Sequence, residues 1–406
     1  MEGIFKGWIV GKPFGFIIPN DGSTDVFLHQ TKVSTPQDLK AGSRIRFELE
    51  TNEKGRSAVS VALLETPVRK RGLVTFWSDR GYGFIAPDDG GENIHVSSNA
   101  LPPTEGGYLC DGYVVEFSML YGAKGATAGD ISVVGWTAPS DHLNAFADTG
   151  GPGWLESLAA LAEKEPWEYS HAKNPEPLAI LRNYIRYTFQ RLEEMTGGIT
   201  IASDSKSAAF NTGLVTPNQE DIYALFRANT RPGRQPWRLS GFKKASDWDF
   251  IDNFGASVPP LANYFDDPSV LLYDRRCELF INVDHVMEHI GRFPEHLQKN
   301  PYVARQLMIS AEATTKKRVY RNYKTAVPQY YRERGGSGGV QLLLPICLEN
   351  PARADLALVV AKNEVGNAYR GSTVLTLDMA YNNARLLARP DTERSEEHTS
   401  ELQSRQ

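Results

Sequence analysis

Phe14, Phe16, Phe27 and His29 are the side chains whose types and spacing most plainly specify a chemistry. Residues two apart in an extended strand share a face, so Phe14 lies beside Phe16 and Phe27 beside His29. Pro19-Asn20-Asp21-Gly22-Ser23 between the two runs is turn chemistry, which makes them an antiparallel hairpin. Gly15 between the rings adds no side chain to the other face and lets its strand twist or bulge. Rings clustered in water are unfavourable unless something flat covers them. Unpaired nucleobases have that shape, and each stacked base contributes roughly 1 to 3 kcal/mol. Lys6 and Lys12 flank the face and add a smaller attraction for phosphate, and Trp8 is the nearest further ring.

The pattern recurs. Arg71-Gly-Leu-Val-Thr-Phe76-Trp77 leads into Arg80-Gly-Tyr82-Gly-Phe84-Ile85, with Tyr82 and Phe84 on one face, Phe76 and Trp77 on the preceding strand, and Arg80 in the place of Lys12. Glu92-Asn93-Ile94-His95 reads as the second half of this copy, with Asn93 standing where the first has Phe27 and His95 retained. This reading expects the second face to stack fewer bases than the first. The competing reading makes these rings ordinary barrel core.

On Lys12-Pro-Phe-Gly-Phe-Ile17 and Val26-Phe-Leu-His29, residues 1–66 resemble the cold-shock domain, a five-stranded barrel of the oligonucleotide-binding type. The resemblance implies nucleic-acid contacts for Lys12, Phe14, Phe16, Phe27 and His29. Two departures stand out: Lys6-Gly7-Trp8 replaces the family's Lys-Trp-Phe, removing a stacking platform at Gly7 that Trp8 either replaces or does not, and Pro13 replaces a glycine. Residues 67–137 resemble a second, more divergent copy.

Charge decides how such faces bind. The chain of 406 residues has a formal net charge of -5, which excludes a protein that grips duplex nucleic acid by bulk positive charge. Acids and bases balance in the first repeat, and the second is slightly acidic. Affinity then comes mostly from stacking, and the partner expected is single-stranded RNA or DNA. Cys110, Cys277 and Cys347 lie far apart without metal-knuckle spacing, which favours reduced thiols. With no basic-then-apolar leader before the first strand and no apolar run long enough for a bilayer, the expectation is a soluble cytoplasmic protein without a membrane partner.

Past the repeats, residues 138–153 break both periodicities and read as a linker. Residues 154–393 follow as an α+β domain. Apolar residues recur at helical spacing from Trp154 to Leu161 and from Leu178 to Leu192, and strand-like runs span 208–214, 222–226, 237–242, 279–283, 340–348, 356–360 and 373–377, with a closing helix over 379–388. Helices first and strands grouped later give one largely antiparallel sheet. Phe-Asn-Thr-Gly-Leu at 210–214, Arg-Asn-Tyr-Lys-Thr-Ala-Val-Pro-Gln-Tyr-Tyr at 321–331 and Leu-Thr-Leu-Asp-Met-Ala-Tyr-Asn-Asn-Ala-Arg-Leu-Leu at 375–387 resemble a bacterial family of uncharacterised domains found beside nucleic-acid-binding modules. That resemblance implies an association with RNA or DNA and no particular reaction. Residues 394–406 read as a translated sequencing-adapter oligonucleotide and are set aside.

Within this domain, Lys317, Arg321 and Lys324 fall at i, i+4 and i+7 beside Tyr320, Tyr323 and Val327, a basic ridge on a helix expected to run to Val327 before Pro328. It suits either a phosphate-tracking groove or a solvated face. His285-Val-Met-Glu288-His289 spells H-x-x-E-H, the order in which two histidines hold zinc and the glutamate acts as base. A helix confined between Asp284 and Gly291 is short for that task, and Glu312, Glu333 and Glu364 are unmarked as third ligands. Asp284 as a helix N-cap is preferred, and no metal or cofactor is expected. Asp378, ahead of Asn382, Asn383 and Arg385, is either a catalytic acid or an N-cap. The glycine-rich run 335–339 lacks the lysine of a phosphate loop.

The whole reads as two five-stranded antiparallel barrels followed by an α+β domain, binding single-stranded nucleic acid, RNA favoured. The alternative is a phosphodiesterase, nuclease or nucleotide-processing enzyme with Asp284, His285, Glu288, Lys317, Arg321, Lys324, Asp378, Asn382 and Arg385 as its suspects. That alternative requires Asp378, Arg385 and the Lys317 ridge to line one pocket. A protein-interaction platform is the third possibility.

Overall fold

The computed structural model describes residues 1–389, apart from 10, 53–54, 79, 103–104, 123–124, 152, 170–175, 256, 333–337 and 364. Glu333, Glu364, much of the glycine run 335–339 and the terminal 394–406 therefore lie outside the described residues.

Ten strands make two closed barrels. β1 (Glu2–Trp8), β2 (Phe14–Pro19), β3 (Val26–His29), β4 (Arg44–Asn52) and β5 (Gly55–Glu65) close in the order β1-β2-β3-β5-β4. β6 (Arg69–Ser78), β7 (Tyr82–Pro87), β8 (Ile94–Ser97), β9 (Tyr113–Gly122) and β10 (Gly125–Trp136) close in the corresponding order. The expected all-antiparallel pairing is corrected at one seam in each: β3 meets β5 in parallel at Phe27 and Ser57, and β8 meets β10 in parallel at His95 and Thr127. When each strand reverses the one before, the third and fifth run the same way, so five strands cannot close without one parallel pair. Alternation fills the interiors, with Phe5, Ile17, Val26, Leu28, Ile45 and Phe47 buried in the first barrel. Val74, Ile85, Val96, Val115 and Phe117 are buried in the second.

Beyond the barrels come α1 (His142–Phe146), β11 (Ala147–Asp148), α2 (Trp154–Leu161), α3 (Ala179–Glu194), β12 (Thr200–Ile201), β13 (Ser207–Val215), β14 (Asp221–Ala228), β15 (Trp237–Lys244) and α4 (Trp248–Phe254). Then follow β16 (Glu278–Ile281), α5 (Val283–Glu288), α6 (Glu295–Gln298), α7 (Pro301–Arg321), β17 (Val327–Arg332), β18 (Gly338–Ile346), β19 (Leu356–Lys362), β20 (Ala368–Leu375) and α8 (Leu377–Ala384). They form two sheets rather than one, ordered β11-β15-β14-β13-β12 and β16-β20-β19-β18-β17, each with one parallel pair at an edge. No helix among the described residues is long and apolar enough to cross a membrane.

The chain divides into two compact units, Met1–Lys164 with Ile199–Pro259, and Glu165–Gly198 with the residues from Pro260 onward. The first holds both barrels and the first sheet. Residues 138–153, expected as a linker, carry α1 and β11, and β11 extends that sheet through Ala147 opposite Trp237. A two-residue strand has no periodicity to read, so its sequence looks like loop. Asp148 is buried at its end, where it accepts hydrogen bonds from the Tyr108 hydroxyl at 3.1 Å, the Tyr113 hydroxyl at 3.2 Å, the Cys110 thiol at 3.5 Å and the Gly150 amide at 2.9 Å. Burial pushes the Tyr108, Tyr113 and Cys110 groups well above their usual pKa range, and the Asp148 charge adds to the shift. A nearly buried pair, Arg234 with Glu105 at 2.7 Å, sets the guanidinium 4.5 Å from the centre of the Tyr113 ring. The second barrel is thus fastened to the first sheet by buried polar contacts.

In the second unit, Leu342, Leu344, Ile346, Leu356, Leu358 and Val360 pack with α5, α6 and α7 residues on one side of the sheet. Their neighbours Leu343, Ala357 and Val359 pack with Ala380 and Ala384 of α8 on the other. Cover on both faces is why these strands read as continuous apolar runs.

Candidate functional site

A bulge in the first strand of each barrel sets the site. Pairing shifts between Phe5 and Gly7 in β1, and between Val74 and Phe76 in β6. At both places the neighbouring strand supplies a glycine pressed against the bulge: a Cβ on Gly15 would lie 2.2 Å from the Gly7 carbonyl oxygen, and one on Gly83 2.4 Å from that of Phe76. Only glycine fits there. Each bulge leaves the residue after it facing outward, Gly7 opposite Phe16 and Phe76 opposite Phe84.

On the first barrel Phe14, Phe16, Phe27 and His29 are half-buried and adjacent, while the residues between them, Gly15 and Leu28, are buried. Phe14 lies 5.2 Å from Phe27 and 6.2 Å from Phe16, Phe16 is 6.1 Å from Phe27, and His29 is 6.5 Å from Phe27, ring centre to ring centre. The Lys12 ammonium sits 5.5 Å from the centre of the Phe14 ring, and Lys6 is held by Asp25 at 2.8 Å. The rings are neither sealed inside nor scattered. Two of the pairs meet edge to face and two are tilted, and all four rings keep part of their surface in solvent.

The second barrel repeats the face with different residues. Tyr82 is 6.2 Å from Phe76 and 6.4 Å from Phe84, and the His95 ring lies nearly parallel to Tyr82 at 6.1 Å. Phe76 is 40% exposed, the most open of the four. Arg80, two residues before Tyr82, is exposed.

Register corrects the alignment of the two copies. Phe16 pairs with Phe27 and Phe14 with His29, whereas Phe84 pairs with His95 and Tyr82 with Ser97. His95 therefore takes the place of Phe27, and Ser97 that of His29. Capping agrees: His29 and Ser97 each accept from the backbone amide two residues on and start a short 3-10 turn. Asn93 lies outside the strand, so the position that sequence spacing matched to Phe27 is two residues early. The second face keeps three rings and an imidazole, as the first does.

Trp8 and Trp77 are corrected as well. They pair with Gly15 and Gly83 on the inward side, and both pack against barrel cores. The Trp8 ring lies 4.7 Å from Phe5 and its Nε1 donates to the Pro36 carbonyl at 3.3 Å. A Cβ on Gly83 would come within 2.7 Å of the Trp77 ring, so the glycine makes room for the indole. Trp8 does not fill the place of the missing platform at Gly7.

The candidates in the second unit do not converge. α7 ends at Arg321, six residues short of Val327, because Asn322 turns extended and its side chain caps the turn that follows. Lys317 and Arg321 stay on the helix and are exposed, while Lys324 leaves it and the ridge is cut to two. Asn282, not Asp284, caps α5, and Asp284 pairs with Arg305 at 2.7 Å. His285 is bound to Glu288 of its own helix at 2.7 Å, the group the zinc motif would use as base. Burial, aided by Arg292 and His285, lowers the His289 pKa. Thr376 caps α8, so Asp378 lies within the first turn rather than at its cap. Asn382 is buried, its side-chain oxygen accepting from the Tyr169 hydroxyl at 3.5 Å. Arg385 makes two 2.7 Å bonds to buried Glu165 and lies over Trp167 and Tyr184. Burial opposes its charge, but the hydrogen bonds to Glu165 hold its pKa up. It is a structural pair, and no described cavity is lined by Asp378, Arg385 and Lys317 together. Sequence reasoning passed over Asp148, which nothing in its glycine-rich surroundings marks. It also passed over the polar side of α3, where Tyr187, Gln190 and Arg191 recur at helical spacing.

A family model described as "Domain of unknown function (DUF3825)" matches residues 158–394, and one described as "'Cold-shock' DNA-binding domain" matches residues 1–64. Cold shock-like protein CspB of Yersinia pestis is 42% identical over 66 residues, 16% of this chain and 94% of that protein. Cold shock-like protein CspE of Escherichia coli K12 is 41% identical over 66 residues, 16% of this chain and 96% of its own. Among solved structures, Drosophila Unr CSD456 overlaps 60% of this chain and 96% of its own at 14% identity with a TM-score of 0.17. A multidomain protein with nucleic acid binding domains from Streptococcus pneumoniae overlaps 84% and 96% at 10% identity with a TM-score of 0.15.

Proposed function

The chain belongs to the DUF3825 family through residues 158–394 and to the cold-shock family through residues 1–64, and on that premise we propose that it binds single-stranded nucleic acid by stacking unpaired bases on two aromatic faces. The observation that carries the proposal is the pair of half-exposed ring clusters, Phe14, Phe16 and Phe27 on one barrel and Phe76, Tyr82 and Phe84 on the other. Duplex keeps its base faces stacked internally and offers them nothing. The second barrel acts as a divergent second cold-shock module, and the two together present the strand to the DUF3825 region. RNA is favoured over DNA, because proteins read RNA mainly at single-stranded loops and ends. A cytoplasmic setting suits three free thiols.

The test is a titration of the full chain with a labelled oligopyrimidine, as RNA and as DNA, alone and annealed to its complement. Stacking predicts that annealing weakens binding at least tenfold. Equal affinity for single strand and duplex would refute the proposal.

A further inference from the structure

Two of the sequence motifs that came without a role meet in the second unit. Tyr331 on the edge strand β17 and Asn383 on α8 line one small cavity, together with Tyr187, Gln190 and Arg191 of α3 and Arg332. The cavity measures about 90 Å³. Tyr187 and Tyr331 are 47% and 46% exposed, so two phenol rings at its mouth stand without full cover.

Its polar groups are held in place by the surrounding fold. Asn383 donates to the Gln329 side-chain oxygen at 3.1 Å, and the Gln329 side-chain amide donates onward to the Gln341 side-chain oxygen at 3.0 Å, which fixes the amide chain in one sense and leaves the Asn383 side-chain oxygen as an acceptor. Arg191 and Arg332 both pair with Glu194, and Arg191 is further tied to the Asn263 carbonyl at 2.6 Å. Among the described ion pairs the two guanidinium groups share one carboxylate, Glu194. Flat rings, an amide edge and two guanidinium groups sharing one carboxylate are what an aromatic base bearing a phosphate requires.

We propose that this cavity binds one nucleotide, its base between Tyr187 and Tyr331 with an edge toward Gln190 and Asn383, and its phosphate against Arg332 and Arg191. The same chemistry is offered by a free mononucleotide and by the phosphorylated end of a strand. The expected ligand rests on the stacking function proposed above, while the geometry stands independently of it.

The experiment titrates the full chain with ethenoadenosine 5′-monophosphate, followed by fluorescence. Saturable binding is expected, weakened at least tenfold by Tyr331→Ala and by Tyr187→Ala, which sit on different elements, and restored to within about threefold by Tyr331→Phe. Adenosine and inorganic phosphate should each compete less well than adenosine 5′-monophosphate. Competition by oligonucleotides with and without a 5′-phosphate then assigns the source: preferential displacement by the phosphorylated strand identifies a strand end, and displacement by free nucleotide alone identifies a mononucleotide. Absence of saturable binding overturns the proposal. So does binding that Tyr187→Ala and Tyr331→Ala leave intact but that is lost with Phe16→Ala and Phe27→Ala, since the nucleotide then sits on the barrel and the stacking function survives. Nucleotide binding that follows Tyr331, with oligonucleotide binding indifferent to the barrel rings, sinks the stacking function and keeps the cavity.

Discussion

The two barrels carry the same surface built from different strands. In the first, the third ring is Phe27 on β3 and the outer position of β1 is empty at Gly7; in the second, the third ring is Phe76 on β6 and the β8 position holds His95. Each face keeps three rings and an imidazole, but the third ring moves from one strand flanking the central strand to the other. The proposed stacking would tolerate this displacement, because every base has a π-face and no fixed donor or acceptor has to be met. A hydrogen-bonding site displaced so far would be lost. The barrels also differ in attachment: the second is held to the neighbouring sheet through Asp148 and the Glu105–Arg234 pair. Gly42 of the first, at φ +91, comes close to Ser118 and Met119 of the second, where a Cβ would lie 3.2 Å from the Met119 carbonyl oxygen.

The largest expected effect breaks the comparison outright. Phe16→Ala with Phe27→Ala removes two stacking surfaces, at least about 2 kcal/mol, and should weaken oligopyrimidine binding by more than tenfold. Phe76→Ala with Phe84→Ala should cost a similar factor, and an unchanged dissociation constant for the second pair would reduce the second barrel to scaffold.

Next in size is the response to alkali, which separates the barrels by their attachment. Cys110, Tyr108 and Tyr113 have ordinary pKa values of 9.0, 10.0 and 10.0 and are raised by burial in the folded chain. As pH climbs through those values the unfolded chain sheds protons that the folded chain keeps, so stability is full below pH 9 and falls above it. Thermal unfolding of the full chain should show this fall, and Tyr113→Phe should flatten it while lowering stability at neutral pH by about 1 to 3 kcal/mol. A flat profile in the parent protein would remove the Asp148 anchor from the account.

Exchanging the differing residues sharpens the contrast. His95→Phe supplies the ring that the first barrel has at Phe27 and should tighten binding by several-fold, read by the same titration. Gly7→Phe, meant to copy Phe76, should instead destabilise the protein by about 1 to 3 kcal/mol, because Gly7 sits at φ +124 where side chains are strained. The smallest effect is that of salt: with Lys6 held by Asp25 and few cations at either face, the log-log slope for the full chain should be shallower than about -4. A steeper slope would assign affinity to phosphate contacts.

The ring positions of the first hairpin were legible because a period of two places Phe14 beside Phe16 and Phe27 beside His29 in any strand. The repeat was legible for the same reason up to Phe84. Its second half was not, since Asn93 and His95 compete for one position by spacing, and only pairing with Phe84 and the Ser97 cap distinguish them. The α+β class followed from the helical runs at 154–161 and 178–192. The division of its strands into two sheets did not, because which strands pair depends on partners far apart in the chain.

Local spacing alone thus determined that the chain begins with clustered aromatic strands, that they recur, and that helices and strands follow. Tertiary structure decided which side of each strand meets water: the bulges at Lys6 and Thr75 reverse the alternation, turning Trp8 and Trp77 inward and Gly7 and Phe76 outward. It also decided the fate of charged and buried groups such as Asp148 and Arg385, whose roles come from donors and acceptors contributed by distant segments. Side-chain direction within a strand is a one-dimensional property that sequence records, whereas a bulge or a buried ion pair exists only once separate strands have been brought into contact.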